Sequence, residues 1–270
     1  MPHRSDPSAH SPVLPSRDAV AATLRVAGCV FAEDEADLIL AAANGDPSAV
    51  EGMAARRAAG LPLELVVGWA EFAGLRIFVE PGVFVPRRRT EFLVEQALTL
   101  APDASVVVDL CCGSGAVGAA LTVALGAADL HAADIDPAAV SCARRNVASL
   151  GGHVHQGDLF DALPARLRGR VDVLAANVPY VPSDEIALLP AEARDHEPRV
   201  ALDGGADGLD ILRRVAAEAP GWLAPGGHLL IETSPRQAPE ALSAFIESGL
   251  EASLAVCRER AARVVTGRRP

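Results

Sequence analysis

The sequence predicts an α/β fold, a mostly parallel seven-stranded sheet preceded by a small N-terminal helical domain and joined to it by a β-hairpin. Three observations carry this. From residue 90 onward, short β-branched runs alternate with stretches of helical spacing, the pattern of parallel strands linked by crossover helices. Before about residue 70 the apolar residues recur at helical spacing. The residues able to bind or react gather at the expected strand C-termini, where open α/β sheets hold their ligands.

Residues 1–17 are polar and rich in Pro, Ser and His, and read as a disordered leader. In residues 18–73, Val20, Leu24 and Ala27 recur at i, i+4 and i+7, and Leu38, Ile39 and Ala42 follow the acidic start Glu33-Asp34-Glu35. Asp46-Pro47-Ser48 and Gly60-Leu61-Pro62 stop and restart these helices. Residues 74–89 form a linker of two extended segments joined at Pro81-Gly82, a hairpin acting as a hinge. From 90 to 270 the expected order is helix 90–100, strand 105–109, helix 116–126, strand 129–134, helix 137–149 and strand 153–156. Strand 171–176, helix 208–219, strand 228–232, helix 237–248 and closing strands near 251–257 and 261–266 follow.

With 270 residues, 50% hydrophobic and 22% charged, the composition is that of a globular chain. All 24 basic residues are arginine, against 35 acids, for a net charge of −11. Six arginines face eleven acids before Pro86, and eighteen face twenty-four after it. No part is a basic module, so no stable nucleic-acid partner is expected. The five cysteines, Cys29, Cys111, Cys112, Cys142 and Cys257, are odd in number and lack a C-x-x-C spacing, which indicates neither a disulfide framework nor a metal site. No apolar run follows a basic start, so a cytoplasmic protein is expected. Leu110 to Ala128 is 19 residues without a charge, long enough to suggest a membrane span. Its glycines at 113, 115, 118 and 126, bounded by Asp109 and Asp129, read instead as a loop and a buried helix, with no membrane partner.

The first strand runs through Asp109 and Leu110 into Cys111-Cys112-Gly113-Ser114-Gly115, a turn whose glycines let backbone approach a ligand. Gly113, Gly115 and Gly118 also satisfy G-x-G-x-x-G, with Asp134 falling 21 residues after Gly113, as in dinucleotide-binding folds. Asp109, four residues before the first glycine, and the longer turn separate the two readings. Asp134-Ile135 ends the second strand, where a carboxylate can accept both hydroxyls of a ribose, while Asp136 caps the next helix ahead of Pro137. Asp158, followed by Leu159, can accept from an adenine amino group or stabilise a turn.

Asn177-Val178-Pro179-Tyr180 closes the fourth strand. An amide nitrogen is a poor nucleophile because resonance draws its lone pair into the carbonyl. A site that uses one must hold both N–H groups and aim the lone pair. The Asn177 side-chain oxygen and the Val178 carbonyl can each accept one N–H, and the Tyr180 ring can stack on the plane. Acceptors so placed also favour the positive charge that builds on the attacking nitrogen.

These residues resemble a class I S-adenosylmethionine-dependent methyltransferase with a Rossmann-like sheet, and among these the protein-(glutamine N5) methyltransferase family of HemK type, which modifies peptide-chain release factors. The resemblance spans about residues 62–267 and adds Gly68-Trp69-Ala-Glu71-Phe72-x-Gly74-Leu75, Val85-Pro86-Arg87-x-x-Thr90-Glu91 and Glu197-Pro198-x-x-Ala-Leu-x-Gly204-Gly205-x-x-Gly208. It implies that S-adenosyl-L-methionine is the cofactor, held by Asp109, Cys111, Cys112, Gly113, Ser114, Gly115, Asp134, Ile135, Asp158, Leu159 and Asn177. It implies further that Asn177, Val178, Pro179 and Tyr180 hold the glutamine amide of a protein substrate such as a release factor, and that the helical domain docks that substrate. Two departures stand out: Val178 replaces the family's usual proline, and Arg88-Arg89 replaces its usual Pro-Glu.

The residues by themselves leave three rivals: methylation of a nucleic-acid base amine, methylation of a small molecule, and an NAD-dependent dehydrogenase. Cys111 and Cys112 also read as small apolar filler, and His153 with His155 as a pair on a strand surface. Arg87-Arg88-Arg89 reads equally as a contact for an acidic loop or phosphate and as a solvated helix start.

Overall fold

A computed structural model describes residues 13–126 and 128–270. Residues 1–12 of the expected leader lie outside the described residues, and Arg17 already opens a helix. The chain divides into two compact units between Val67 and Gly68.

The first unit holds α1 (Arg17–Val26), α2 (Ala32–Ala42), α3 (Pro47–Ala58) and α4 (Leu63–Val67). Local chemistry sets their starts. The Ser16 side chain accepts from Ala19 N–H at α1, and Asp46 accepts from Ser48 N–H at α3, where Pro47 takes the first helical position. Val20, Leu24, Ile39, Val50 and Val66 fill the core between them. An ion pair of 2.6 Å joins Arg57 on α3 to Glu35 on α2.

The second unit begins with a hairpin that lies earlier than the sequence reading put it. β1 (Trp69–Phe72) pairs antiparallel with β2 (Leu75–Phe78), and residues 79–87 form no strand. The physical reason is the turn: Ala73 and Gly74 both take positive φ, 49° and 74°, the two-residue connection whose twist suits a hairpin. Pro81-Gly82 does turn, but joins no strands. The hairpin therefore belongs to the second unit, not to a separate linker over 74–89.

The remaining elements follow the expected order: α5 (Glu91–Leu100), β3 (Val106–Leu110), α6 (Ala116–Leu125), β4 (Asp129–Asp134), α7 (Pro137–Val147), β5 (His153–Gln156) and β6 (Val171–Ala176). After these come α8 (Ala191–His196), α9 (Asp210–Glu218), β7 (Leu223–Glu232), α10 (Ala238–Glu247), β8 (Glu251–Cys257) and β9 (Ala262–Arg268). β7 starts five residues before the expected 228, and Pro225 is accommodated where the register against β6 shifts.

Among the described residues the strands form a seven-stranded sheet in the order β5-β4-β3-β6-β7-β9-β8, with β9 antiparallel to both neighbours. Strand alternation divides the core between the two faces. Val108, Leu110, Leu174 and Ala176 pack with Trp222, Phe160 and Phe245 on one face. Val107, Val173 and Ala175 pack with Leu93, Phe92 and Leu121 on the other. Burial on both faces explains why β3 and β6 read as almost unbroken apolar runs. The order reverses between β3 and β6, which opens a crevice beyond their carboxyl ends. The uncharged stretch from Leu110 resolves into a strand end, a turn and the ten-residue α6, and no helix among the described residues is long and apolar enough to cross a membrane.

Candidate active site

A cavity of about 570 Å³ occupies that crevice. Its wall contains Asp109, Cys111, Cys112, Gly113, Ser114, Asp134, Ile135, Asp158, Leu159, Asn177, Val178, Pro179 and Tyr180, so the structure brings these sequence-derived residues together. Gly115 is the exception. It caps α6 at φ 76°, and a Cβ there would lie 3.1 Å from Ala143 Cβ, so it serves packing against α7.

The β3–α6 turn is built around two carboxylates. Asp109 is 1% exposed and accepts from the Gly118 N–H at 2.8 Å. Burial pushes its pKa up to about 7, the Gly118 hydrogen bond works against that, and Asp134 adds to it. Gly118 allows this approach, since a Cβ there would lie 2.9 Å from Leu130 Cδ1 and 3.1 Å from Asp109 Oδ2. Asp134 accepts from Gly113 N–H and from Asp136 N–H, both at 2.9 Å, one on each oxygen. Each oxygen keeps a second lone-pair site. Burial raises the Asp134 pKa as well. Asp136 caps α7, accepting from Ala138 N–H at 2.9 Å. Cys111 sits at φ 53°, a conformation costly for a residue with a side chain, and burial pushes its thiol and that of Cys112 above the ordinary range. Neither is a thiolate at neutral pH.

Beyond β5, Leu159 is also at positive φ, 47°, on the cavity wall. The Asp158 carboxylate is half-exposed and takes a 2.8 Å ion pair from Arg214 on α9.

Past β6, the Asn177 Oδ1 is buried and has no hydrogen-bond partner among the described residues. A buried acceptor left unpaired is costly, and such groups are rare in folded proteins. The Asn177–Tyr180 segment is braced from behind. Val181 N–H donates to Leu202 carbonyl and Gly204 N–H to Val181 carbonyl, both at 2.9 Å. The Gln237 amide donates to the carbonyls of Tyr180 and Asp207, at 2.8 and 2.9 Å. A Cβ on Gly204 would lie 2.7 Å from the Pro179 oxygen, and one on Gly208 2.3 Å from the Tyr180 oxygen. Gly204 and Gly208 are thus required by backbone packing.

Sequence reasoning missed the charged wall opposite. Arg87 pairs with buried Glu197 at 2.6 Å, and Arg89 with buried Glu232 at 3.0 Å. Glu197 also accepts from the Val85 N–H at 3.2 Å. These two arginines are tied into the cavity wall, while Arg88–Thr90 form a 3-10 turn leading into α5 with Arg88 and Arg89 exposed, so both readings of the basic run hold in part. The signal available was an isolated acid ending the apolar run Leu229-Leu230-Ile231-Glu232. Asn146 was missed too; it accepts from Phe78 N–H at 2.8 Å and donates to the Phe78 and Ser114 carbonyls at 2.9 and 2.8 Å. His153 and His155 gather with His131, whose Nδ1 lies 2.9 Å from His155 Nε2. Among the described residues no group of His, Cys, Asp and Glu is arranged to hold a metal ion.

With this geometry in place, the chain was compared with known proteins. The Methyltransferase small domain family matches residues 74–189. A release factor glutamine methyltransferase of Geobacter sulfurreducens is 40% identical over 204 residues, 75% of this chain and 71% of that protein. One from Mycolicibacterium smegmatis is 37% identical over 250 residues, 86% of this chain and 88% of its own length. Among solved structures, a methyltransferase from Pyrococcus furiosus is similar in fold, with a TM-score of 0.56 at 17% identity, covering 73% of this chain and 89% of that one.

Proposed function

We infer the reaction from kinship and geometry together: this chain belongs to the release factor glutamine methyltransferase family, and its cavity suits methylation of an amide nitrogen. The enzyme transfers a methyl group from S-adenosylmethionine to the side-chain nitrogen of a protein glutamine, with a release factor as the substrate and the cytoplasm as its place of work. The observation that carries this reading is the buried, unpartnered Asn177 Oδ1 on the wall of the cavity.

The residues present fit the cofactor. Asp134 keeps lone pairs for ribose hydroxyls, Gly113 brings bare backbone to the wall, and Ile135 and Leu159 supply apolar surface. When bound, S-adenosylmethionine supplies an electrophilic methyl on a sulfonium. The chain's own residues do the rest. Asn177 Oδ1 accepts one N–H of the glutamine amide, the Val178 carbonyl accepts the other, and the Tyr180 ring covers the amide plane. Two acceptors on the N–H groups turn the nitrogen's lone pair toward the methyl and favour the cationic nitrogen that forms as the new bond is made. Fixed dipoles on the cavity wall do this without reorganising during the reaction. The methylated nitrogen, once cationic, is acidic enough to release its proton to water, so no side chain need act as base.

Asn177→Ala tests the assignment. S-adenosylhomocysteine affinity should stay within a few-fold of the parent's, while methyl transfer falls by about 100- to 1000-fold, the usual cost of one preorganised hydrogen-bonding group. Unchanged turnover would remove the basis for placing the amide here.

A further inference from the structure

Tyr180 is the chain's single tyrosine. Its hydroxyl donates to Glu232 Oε1 at 3.2 Å and accepts from the Arg89 guanidinium. The Arg89 Nε donates to the same Glu232 oxygen at 3.0 Å, which closes a ring of three side chains. Glu232 ends β7 and is 3% exposed, and its Oε2 has no partner among the described residues. Arg89 is half-exposed, lines the cavity, and places its guanidinium carbon 5.9 Å from the centre of the Tyr180 ring.

Three consequences follow from these contacts. The Tyr180 hydroxyl gives its one proton to Glu232 and a lone pair to Arg89, so it is committed to the protein. What Tyr180 offers a substrate is therefore its ring. The carboxylate beside it is balanced by the guanidinium, so the ring sees no net charge from this pair.

We propose that Arg89 is a positioning residue for methyl transfer: by bridging Glu232 and the Tyr180 hydroxyl, it fixes the plane of the ring against which the target amide is held. The proposal rests on the reading of this cavity as the amide-methylation site. Arg89 acts through Tyr180, at one remove from the reacting atoms.

The test compares the parent with Arg89→Met and Arg89→Lys in three measurements: S-adenosylhomocysteine affinity, kcat and KM toward a release-factor substrate, and the ring NMR resonances of isotope-labelled tyrosine. Because the chain has one tyrosine, the last reads Tyr180 directly, without substrate. In the parent, the ring tied through its hydroxyl to Glu232 and Arg89 should give one set of resonances displaced from those of free tyrosine. Arg89→Met should keep S-adenosylhomocysteine affinity within a few-fold and lower kcat by about 10- to 100-fold. It should also shift or broaden those ring resonances, under conditions where circular dichroism is unchanged. Arg89→Lys should recover part of the kcat, since an ammonium restores the charge but not the two-pronged bridge. Parental kcat in Arg89→Met, or lost kcat with ring resonances unchanged from the parent's, would overturn the proposal. Failure of the parent itself to methylate protein would instead overturn the functional reading, and the tyrosine resonances would still report whether Arg89 anchors the ring.

Discussion

Asp109 and Gly118 are joined where β3 hands over to α6: the Gly118 N–H donates at 2.8 Å to a carboxylate that is almost wholly buried. Burial holds that carboxyl at about 7, against an ordinary value of 3.8. Between about pH 4 and 7 the folded chain therefore keeps a proton that the unfolded chain has released. This contribution is fully present below the unfolded value and is lost as pH rises through the folded one, at no more than about 1.4 kcal/mol per pH unit. Denaturant unfolding of the parent and Asp109→Asn at several pH values checks this. The parent should lose stability relative to the variant as pH rises through the window, and parallel curves would contradict it.

Gly204→Ala brings a Cβ to 2.7 Å from the Pro179 and Gly208 oxygens, and backbone has little room to yield. The expected cost is about 1–3 kcal/mol, with turnover reduced further because Pro179 belongs to the segment proposed to hold the amide. Gly221→Ala is the control: nothing lies within 4 Å of its added Cβ, so stability should change by no more than about 0.5 kcal/mol. Thermal unfolding and a methyl-transfer assay on both variants measure the difference.

His131 is fully buried, stacked between His153 and His155 at ring separations of 5.0 and 5.2 Å. Burial lowers its pKa, His153 and Arg166 push the same way, and Asp129 opposes them. His155 is lowered too, by burial and then by His131. A base depressed in the folded state gives stability that is present above the unfolded value, about 6.5, and lost as pH falls through the folded one. Stability should therefore decline as the medium is acidified below about pH 6.5, and His131→Gln should flatten that decline. Unfolding curves with the same acid slope in both proteins would count against this origin.

Much of the architecture was legible because local chemistry and global fold agree. β3 and β6 are buried on both faces, so their sequences had to be apolar runs, and Asp136-Pro137 had to start a helix. That Asn177 and Asp134 would stand on the cavity wall was readable because strand ends open on the crevice of such sheets. The hairpin was displaced in the sequence reading because Pro81-Gly82 signals a turn more loudly than Ala73-Gly74, although the latter joins the strands. Arg89 with Glu232, and Arg87 with Glu197, were not legible: the partners are 143 and 110 residues apart, and nothing local links them. The same holds for Gly204, whose need for a missing Cβ exists only once the 204–208 loop lies against Pro179.

The most direct test is transfer of labelled methyl from S-adenosylmethionine to unmethylated release factor, with Asn177→Ala alongside. Label on the glutamine of the factor's Gly-Gly-Gln segment, abolished in the variant, is the expected result. Label confined to nucleic acid or small molecules, or carried equally by the variant, would contradict amide methylation at Asn177.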